Sequence, residues 1–302
     1  MRTLPIMKLR TIWLSIAGAL VVLSIIFLSL WGLRLGIDFT GGSIIDLSFP
    51  GNTRPSLEVV KNALQTAGVN DAEVRFVGDE EVIGRFKTID EATHQKILDE
   101  VKKNAPTVSQ KSFDSIGPVV GAELGQKAFI ALALTLLAIL AYISFVFRKV
   151  SRPVQSWKYG TVAIITLFHD LIITIGVFSL LGKFGGVEIN ASFIAAFLTV
   201  LGFSVHDTIV IFDRIRENLL RTRDSFEVTV NRAVNESFAR SVNTSVTTLL
   251  SLVAIFFFGG ESLRYFALAL IVGIAAGTYS SIFFSSPLLI VWHNFSEKRK
   301  AK

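Results

Sequence analysis

The chain has 302 residues, of which 51% are apolar and 18% charged, with 22 glycines, no cysteine and a formal net charge of +6. An ordinary soluble domain carries about 25% charged residues and about 45–50% apolar ones with glycine included, so this composition excludes a water-soluble globule. The absence of cysteine excludes disulfides, iron–sulfur clusters and thiol catalysis.

Four uninterrupted apolar stretches, and two more broken by one or two ionisable residues, are long enough to cross a bilayer. The chain therefore reads as a polytopic α-helical membrane protein with six transmembrane helices, expected at 11–33, 126–147, 159–181, 190–212, 241–258 and 265–292. The first follows Arg2, Lys8 and Arg10, but its apolar run is longer than that of a signal peptide and no small-x-small cleavage site follows, so it reads as an uncleaved anchor. Arg148, Lys149, Arg152 and Lys158 fall between spans two and three. Arg214, Arg216, Arg221, Arg223, Arg232 and Arg240 fall between spans four and five, and Lys298, Arg299, Lys300 and Lys302 in the tail. The short loops on the opposite side carry only Lys183 and Arg264. The positive-inside rule then puts both termini in the cytoplasm. The expected division is 1–33 (cytoplasmic N-terminus and first span), 34–125 (external domain and linkers), 126–292 (five further spans with basic cytoplasmic loops) and 293–302 (cytoplasmic tail). Positions near Asn52 and Lys103 should be external. The positive charge is thereby assigned to topology and contact with membrane lipid, and no nucleic-acid partner is needed to explain it.

Between spans one and two lie about ninety residues of soluble composition, far more than a connector needs. A β-rich run at 43–49 is followed by a helical pattern, introduced by Thr53 and Pro55, in which Leu57, Val60 and Leu64 share a face, and Gly68 ends it. Val74 and Phe76 alternate with Arg75, 78–81 supplies a turn, and 82–88 continues as a hairpin partner. A second helix follows, with Thr93, Ile97 and Val101 on one face. A weaker last strand at 107–116 precedes a linker of Gly117, Pro118 and Gly121. The order is βαββαβ, so the expectation is an inserted external α+β ferredoxin-like domain. Its one histidine, His94, reads as an ordinary solvated helix residue.

Charged groups at membrane depth are costly and mark a pathway or a buried partner. His169 and Asp170 lie about 16 Å into span three, near the midplane; His206 and Asp207 lie in the cytoplasmic half of span four, and Arg240 at the cytoplasmic entrance of span five. Asp207 compensated by Arg240 reads as a proton or ion relay, against a static ion pair or a hydrated surface aspartate. For His169, Asp170 and His206, relay and buried polar support stand side by side. Asp213, Arg214, Arg216 and Glu217 continue span four into water, and 213–239 reads as an interfacial amphipathic helix or a docking segment. Gly273 and Gly277 form a GxxxG in span six with Ser280, Ser281, Ser285 and Ser286 beyond, a small-residue face for helix packing. Residues 202–206 lack the second glycine of a nucleophile elbow, and no nucleophile, metal cluster or phosphate loop is present, so neither an enzyme nor a cofactor is expected.

Several motifs together carry a resemblance: LRLGIDFTGG at 33–42, IGPVVGAEL at 116–124, FHDLIITIGVFSLLG at 168–182, VHDTIVIFDRIREN at 205–218, NESFARSVNTSVTTLL at 235–250 and GIAAGTYSSIF at 273–283. Over essentially its whole length the chain resembles the SecF family of bacterial protein-export membrane subunits. That resemblance implies half of a transporter of the resistance-nodulation-division type, whose six spans pair with those of SecD in the bacterial inner membrane. It also implies work beside the SecYEG translocon, with YajC and YidC as further partners and preproteins as substrates. H⁺ is the implied coupling ion, with Na⁺ left open, and Asp207 and Arg240 are the implied participants in proton passage. Two alternatives stay open: an assembly factor that stabilises the translocon without ion flow, and half of a small-molecule or lipid exporter of the same superfamily.

Overall fold

The computed structural model describes residues 4–51, 53–146 and 154–300; Arg2, Asn52, Arg148, Lys149, Arg152 and Lys302, named above, lie outside the described residues. Along the chain run a 3-10 turn Ile6–Leu9, α1 Arg10–Trp31, α2 Ile37–Thr40, β1 Gly42–Ser48, α3 Leu57–Thr66, β2 Glu73–Val77, β3 Glu81–Phe86, α4 Glu91–Asn104 and β4 Ser109–Ile116. They are followed by α5 Pro118–Val146, α6 Ser156–Gly185, α7 Ala191–Arg221, α8 Phe226–Phe258, α9 Glu261–Ser280, a π turn Ser281–Ser285 and α10 Ser286–Lys300. The chain divides into two compact units, Leu35–Phe129 and Met1–Arg34 with Ile130–Lys302.

The first unit is α+β, with four antiparallel strands in the order β2-β3-β1-β4. Ile45 and Leu47 of β1 and Phe49 just beyond it meet Val82 and Phe86 of β3, and α3 and α4 cover them with Val60, Leu64, Ile97 and Val101. This is the βαββαβ order expected for a ferredoxin-like unit. Two details differ from the sequence reading. Pro118 and Gly121 are not linker but lie in the first turn of α5, with Pro118 its first residue, a position where a residue without an N–H costs nothing. His94, expected to be solvated, is only 5% exposed: its ring stacks on Phe113 of β4 at 3.8 Å and its Nε2 pairs with Gln110 at 2.9 Å. His94, Ile97 and Val101 are spaced i, i+3, i+7, so the buried face of α4 runs through His94 rather than through Thr93.

The double glycine at 41–42 has a geometric reason. Gly41 and Gly42 adopt φ of 70° and 128°, open to glycine at little cost. A Cβ on Gly41 would also lie 2.7 Å from the Pro118 backbone, and one on Gly42 2.9 Å from the Phe86 carbonyl. At the start of α4, hydrogen bonds from Thr93 hold the Asp90 carboxyl below the usual carboxylate range. The folded value is thus lower than the unfolded one. The stabilisation is complete above the ordinary aspartate range and is lost as pH falls through the folded value. Acidification should therefore lower the protection factor of the Thr93 amide, taken against its intrinsic exchange rate at each pH, before that of Val101, whereas unchanged protection of Thr93 in acid would contradict this capping role.

In the second unit, and with α5, six helices among the described residues are long and apolar enough to cross a membrane. The helices overrun the expected spans because α7 and α8 have 31 and 33 residues, about 46–50 Å at 1.5 Å per residue, against a hydrocarbon layer of about 30 Å. Charges mark where lipid ends, not where the helix ends. The segment 213–239 is accordingly not a separate interfacial helix: α7 runs on to Arg221, a short turn follows, and α8 begins at Phe226. Arg214–Glu217 at 2.7 Å and Arg221–Glu217 at 2.6 Å run along α7, while Asn218–Glu236 at 2.9 Å and Arg214–Glu236 at 3.7 Å join the two helices into a hairpin. The N-terminal residues dock on it, with Asn235 Oδ1 accepting from Leu4 N–H at 2.8 Å and Arg10 pairing with Glu227 at 2.5 Å.

Glycines set the tightest helix crossings. A Cβ on Gly273 would lie 2.3 Å from Val200 Cγ2, and one on Gly277 3.0 Å from Ser204 Cβ. Gly273, Gly277 and Ser280 are spaced i, i+4, i+7, so this small-residue face brings α9 against α7. Between α6 and α1 the same device appears at Gly176, where a Cβ would lie 2.3 Å from Ser24 Cβ.

Candidate functional site

The four spans α6 to α9 place polar side chains inside the second unit. On α7 the spacing 204, 207, 208, 211 puts Ser204, Asp207, Thr208 and Ile211 on the buried face. Asp207 is 2% exposed. Among the described residues its Oδ2 accepts no hydrogen bond, and Ser241 Oγ on α8 is likewise without a partner. His206 Nδ1 stands 3.8 Å from Asp207 Oδ1, but the His206 side chain is 60% exposed. Successive helical residues are about 100° apart, which takes His206 out of the buried polar set in which the sequence reading put it.

Among the described residues no ion pair joins Arg240 to Asp207: Arg240 sits on the exposed side of α8, near enough for longer-range electrostatic attraction alone. The buried face of α8 carries instead Ser237, Ser241 and Ser245, four residues apart. Ser245 Oγ meets Thr278 Oγ1 of α9 at 2.6 Å.

Asp170 is the more completely bonded carboxylate. It is fully buried, and Oδ2 accepts from Ser204 Oγ of α7 at 2.5 Å and from Ser280 Oγ of α9 at 2.8 Å. Its Oδ1 lies 2.9 Å from His169 Nδ1. His169 is 3% exposed, stacks on Phe284 at 4.5 Å, and its Nε2 has no partner among the described residues. It lines an apolar cavity of about 360 Å³ with Ala17, Gly18 and Val21 of α1 and Phe168 and Ile172 of α6. Three helices thus meet at one carboxylate. From the sequence Ser280 reads only as a packing residue and Ser204 only as the centre of an incomplete nucleophile elbow, and Ser241 and Ser245 are not singled out, although Ser204 stands three residues before Asp207 on the same helix face. Among the described residues, no group of three or more His, Asp or Glu side chains could hold a metal ion.

A polar seam of this kind inside membrane-crossing helices points to transport, and comparison with known proteins narrows the class. The family model "Protein export membrane protein SecD/SecF, C-terminal" matches residues 96–295, and the "SecD/SecF GG Motif" matches 32–49. The chain belongs to the SecD/SecF family. It is 44% identical over 306 residues to the protein translocase subunit SecF of Thermobaculum terrenum, covering 96% of this chain and 94% of that one. With the protein translocase subunit SecF of Anaerolinea thermophila it shares 37% identity over 295 residues, again covering 96% and 94%. Among solved structures it is similar to SecDF, a translocon-associated membrane protein from Thermus thermophilus, at a TM-score of 0.80 and 32% identity over 95% of this chain. A SecDF in a super-membrane-facing form gives 0.69 over 98%. The chain spans 38% and 39% of those SecDF chains. Within the SecD/SecF match, the GG motif covers the positive-φ pair Gly41 and Gly42, and the longer match includes both His-Asp dipeptides.

Proposed function

We propose that the chain is the SecF-type half of a two-part membrane machine that pairs with SecD. In this reading it works beside the SecYEG translocon, with YajC and YidC as further contacts, and draws on the proton gradient to promote the late stage of preprotein export. Both termini are cytoplasmic in an inner membrane, and residues 34–125 act outside it. The observation that carries the coupling is Asp207: a carboxyl inside a span, nearly sealed, with one oxygen accepting no hydrogen bond. A group placed so gains and loses a proton with little rearrangement of its neighbours, and a charged state is tolerable only with a cation in reach. Arg240 supplies that cation at longer range.

Pairing with a second set of spans is supported by polar stripes that a lipid face would not carry. On α8, Arg240, Asn243, Thr244, Thr247 and Ser251 are exposed at helical spacing, and on α7 Thr199 and His206 are exposed beside Ala195 and Gly202. A covering partner shelters such groups at lower cost than hydrocarbon.

The test is preprotein release from sealed membranes containing this chain and SecD, with a proton gradient, a sodium gradient or none. Release should rise with the proton gradient alone. Equal release in all three conditions would favour an assembly factor, and a response to sodium alone would reassign the ion.

A further inference from the structure

The His169–Asp170 pair is not needed for a relay centred on Asp207, yet its surroundings are those of a group that changes charge. Asp170 is fully buried and His169 nearly so. The titratable groups facing the pair are few. On α1 there is none between Arg10 and Arg34. On α7, Ser204 makes the contact and Asp207 lies one turn further on. On the last span Tyr279 sits with its ring 6.3 Å from His169, and His293 of α10 packs instead on Phe226 at 4.5 Å. No arginine or lysine contacts Asp170 among the described residues. A carboxylate with a neutral imidazole would leave a net negative charge in hydrocarbon, which is costly. One further proton held by the pair removes it.

Two arrangements of that proton fit the geometry. In one, an imidazolium donates Nδ1–H to an ionised Asp170 Oδ1. In the other, the proton crosses the 2.9 Å gap to Oδ1, which then donates to a bare Nδ1. In both, Nε2 carries a hydrogen, and the pair discharges when the Nε2 proton leaves while Nδ1–H, Ser204 and Ser280 hold the carboxylate. The Ser280 hydroxyl has one hydrogen and two acceptors in reach, Asp170 Oδ2 at 2.8 Å and the Gly277 carbonyl at 3.1 Å. Loss of the Nε2 proton either turns the neutral acid into a carboxylate or strips an existing carboxylate of its imidazolium, and in both cases Oδ2 competes better for that hydrogen. Ser280 is also the last residue before the π turn Ser281–Ser285, an irregularity often found where helices do work.

We propose that His169 and Asp170 form a second proton-carrying site, distinct from Asp207, and that Ser280 passes its charge state to the π turn of the last span. The proposal rests on the proton-coupled reading above, but the site can be tested without export. In the full chain with SecD in lipid nanodiscs, ¹⁵N NMR of the histidine rings, with His169→Gln for assignment, should show Nε2 of His169 protonated at the acid end of the titration and bare at the alkaline end. Nδ1 should remain bonded to Asp170. Asp170→Asn should abolish or shift the transition, and Asp207→Asn should leave it present. A single Nε2 state over the whole folded pH range, or a transition indifferent to Asp170→Asn, would overturn the site.

Should Asp170→Asn fail to assemble, Ser280→Ala tests the same point, because it removes one donor to the carboxylate and should displace the transition in pH. In export, Ser280→Ala should shift the pH profile of gradient-driven release while leaving the amount of assembled protein unchanged. An unshifted profile would remove Ser280 from the proposal. If export proved independent of any gradient while His169 still titrated, the coupled reading would fail and the site would stand.

Discussion

Asp207→Asn is expected to abolish the gradient-driven part of preprotein export while leaving the amount of assembled protein close to wild type. The amide keeps the size and the Oδ1 oxygen of the aspartate, and no hydrogen bond to Oδ2 is lost because none is accepted there. Only the exchangeable proton disappears. Arg240→Met is expected to impair the same step, since the ionised carboxyl then lacks a cation in reach. It too should assemble, because no direct ion pair joins Arg240 to Asp207 among the described residues. A static buried salt bridge predicts a different pattern. Removing either partner of such a bridge costs about 3–5 kcal/mol, lowering the folded amount, and an apolar double replacement restores it. Quantifying assembled protein and export for each single variant and the double separates the two, and normal export by Asp207→Asn would end the relay reading.

The largest effect on stability is expected where glycines let helices touch. Gly273→Ala puts a methyl 2.3 Å from Val200 Cγ2, and Gly176→Ala puts one 2.3 Å from Ser24 Cβ and 2.6 Å from Ser24 Cα. Overpacking of this kind costs about 1–3 kcal/mol. The two should differ in rescue. Val200→Ala removes the Cγ atoms that obstruct Gly273→Ala and should recover much of the folded protein. Ser24→Gly leaves the Cα, a backbone atom that cannot be trimmed, so Gly176→Ala should stay destabilised. Thermal unfolding of the four proteins in detergent reads this out, and equal rescue at both sites would refute the contact assignment.

What could be read from the sequence follows from which signals are local. The α+β order was legible because Val60 and Leu64, or Ile97 and Val101, recur along one helix. His94 was misjudged because its polarity outweighed its place on the same face as Ile97. The spans were legible as apolar runs, but their helices extend well past the charges that end those runs. Asp207 and Arg240 could be singled out as ionisable residues at membrane depth, whereas the absence of a direct pair depends on which way each helix turns. The bonding of Asp170 to Ser204 and Ser280 joins residues 34 and 110 positions apart, and no periodicity announces it. The same holds for Gly176 against Ser24.

The central claim is that Asp207 gains and loses a proton. Difference infrared spectroscopy of the protein with SecD, recorded as pH is lowered, follows protonated carboxyl groups through their C=O stretch. A band that rises on acidification should be present in the wild type, missing in Asp207→Asn, and altered in frequency or midpoint by Arg240→Met. An identical set of bands in wild type and Asp207→Asn would contradict the account.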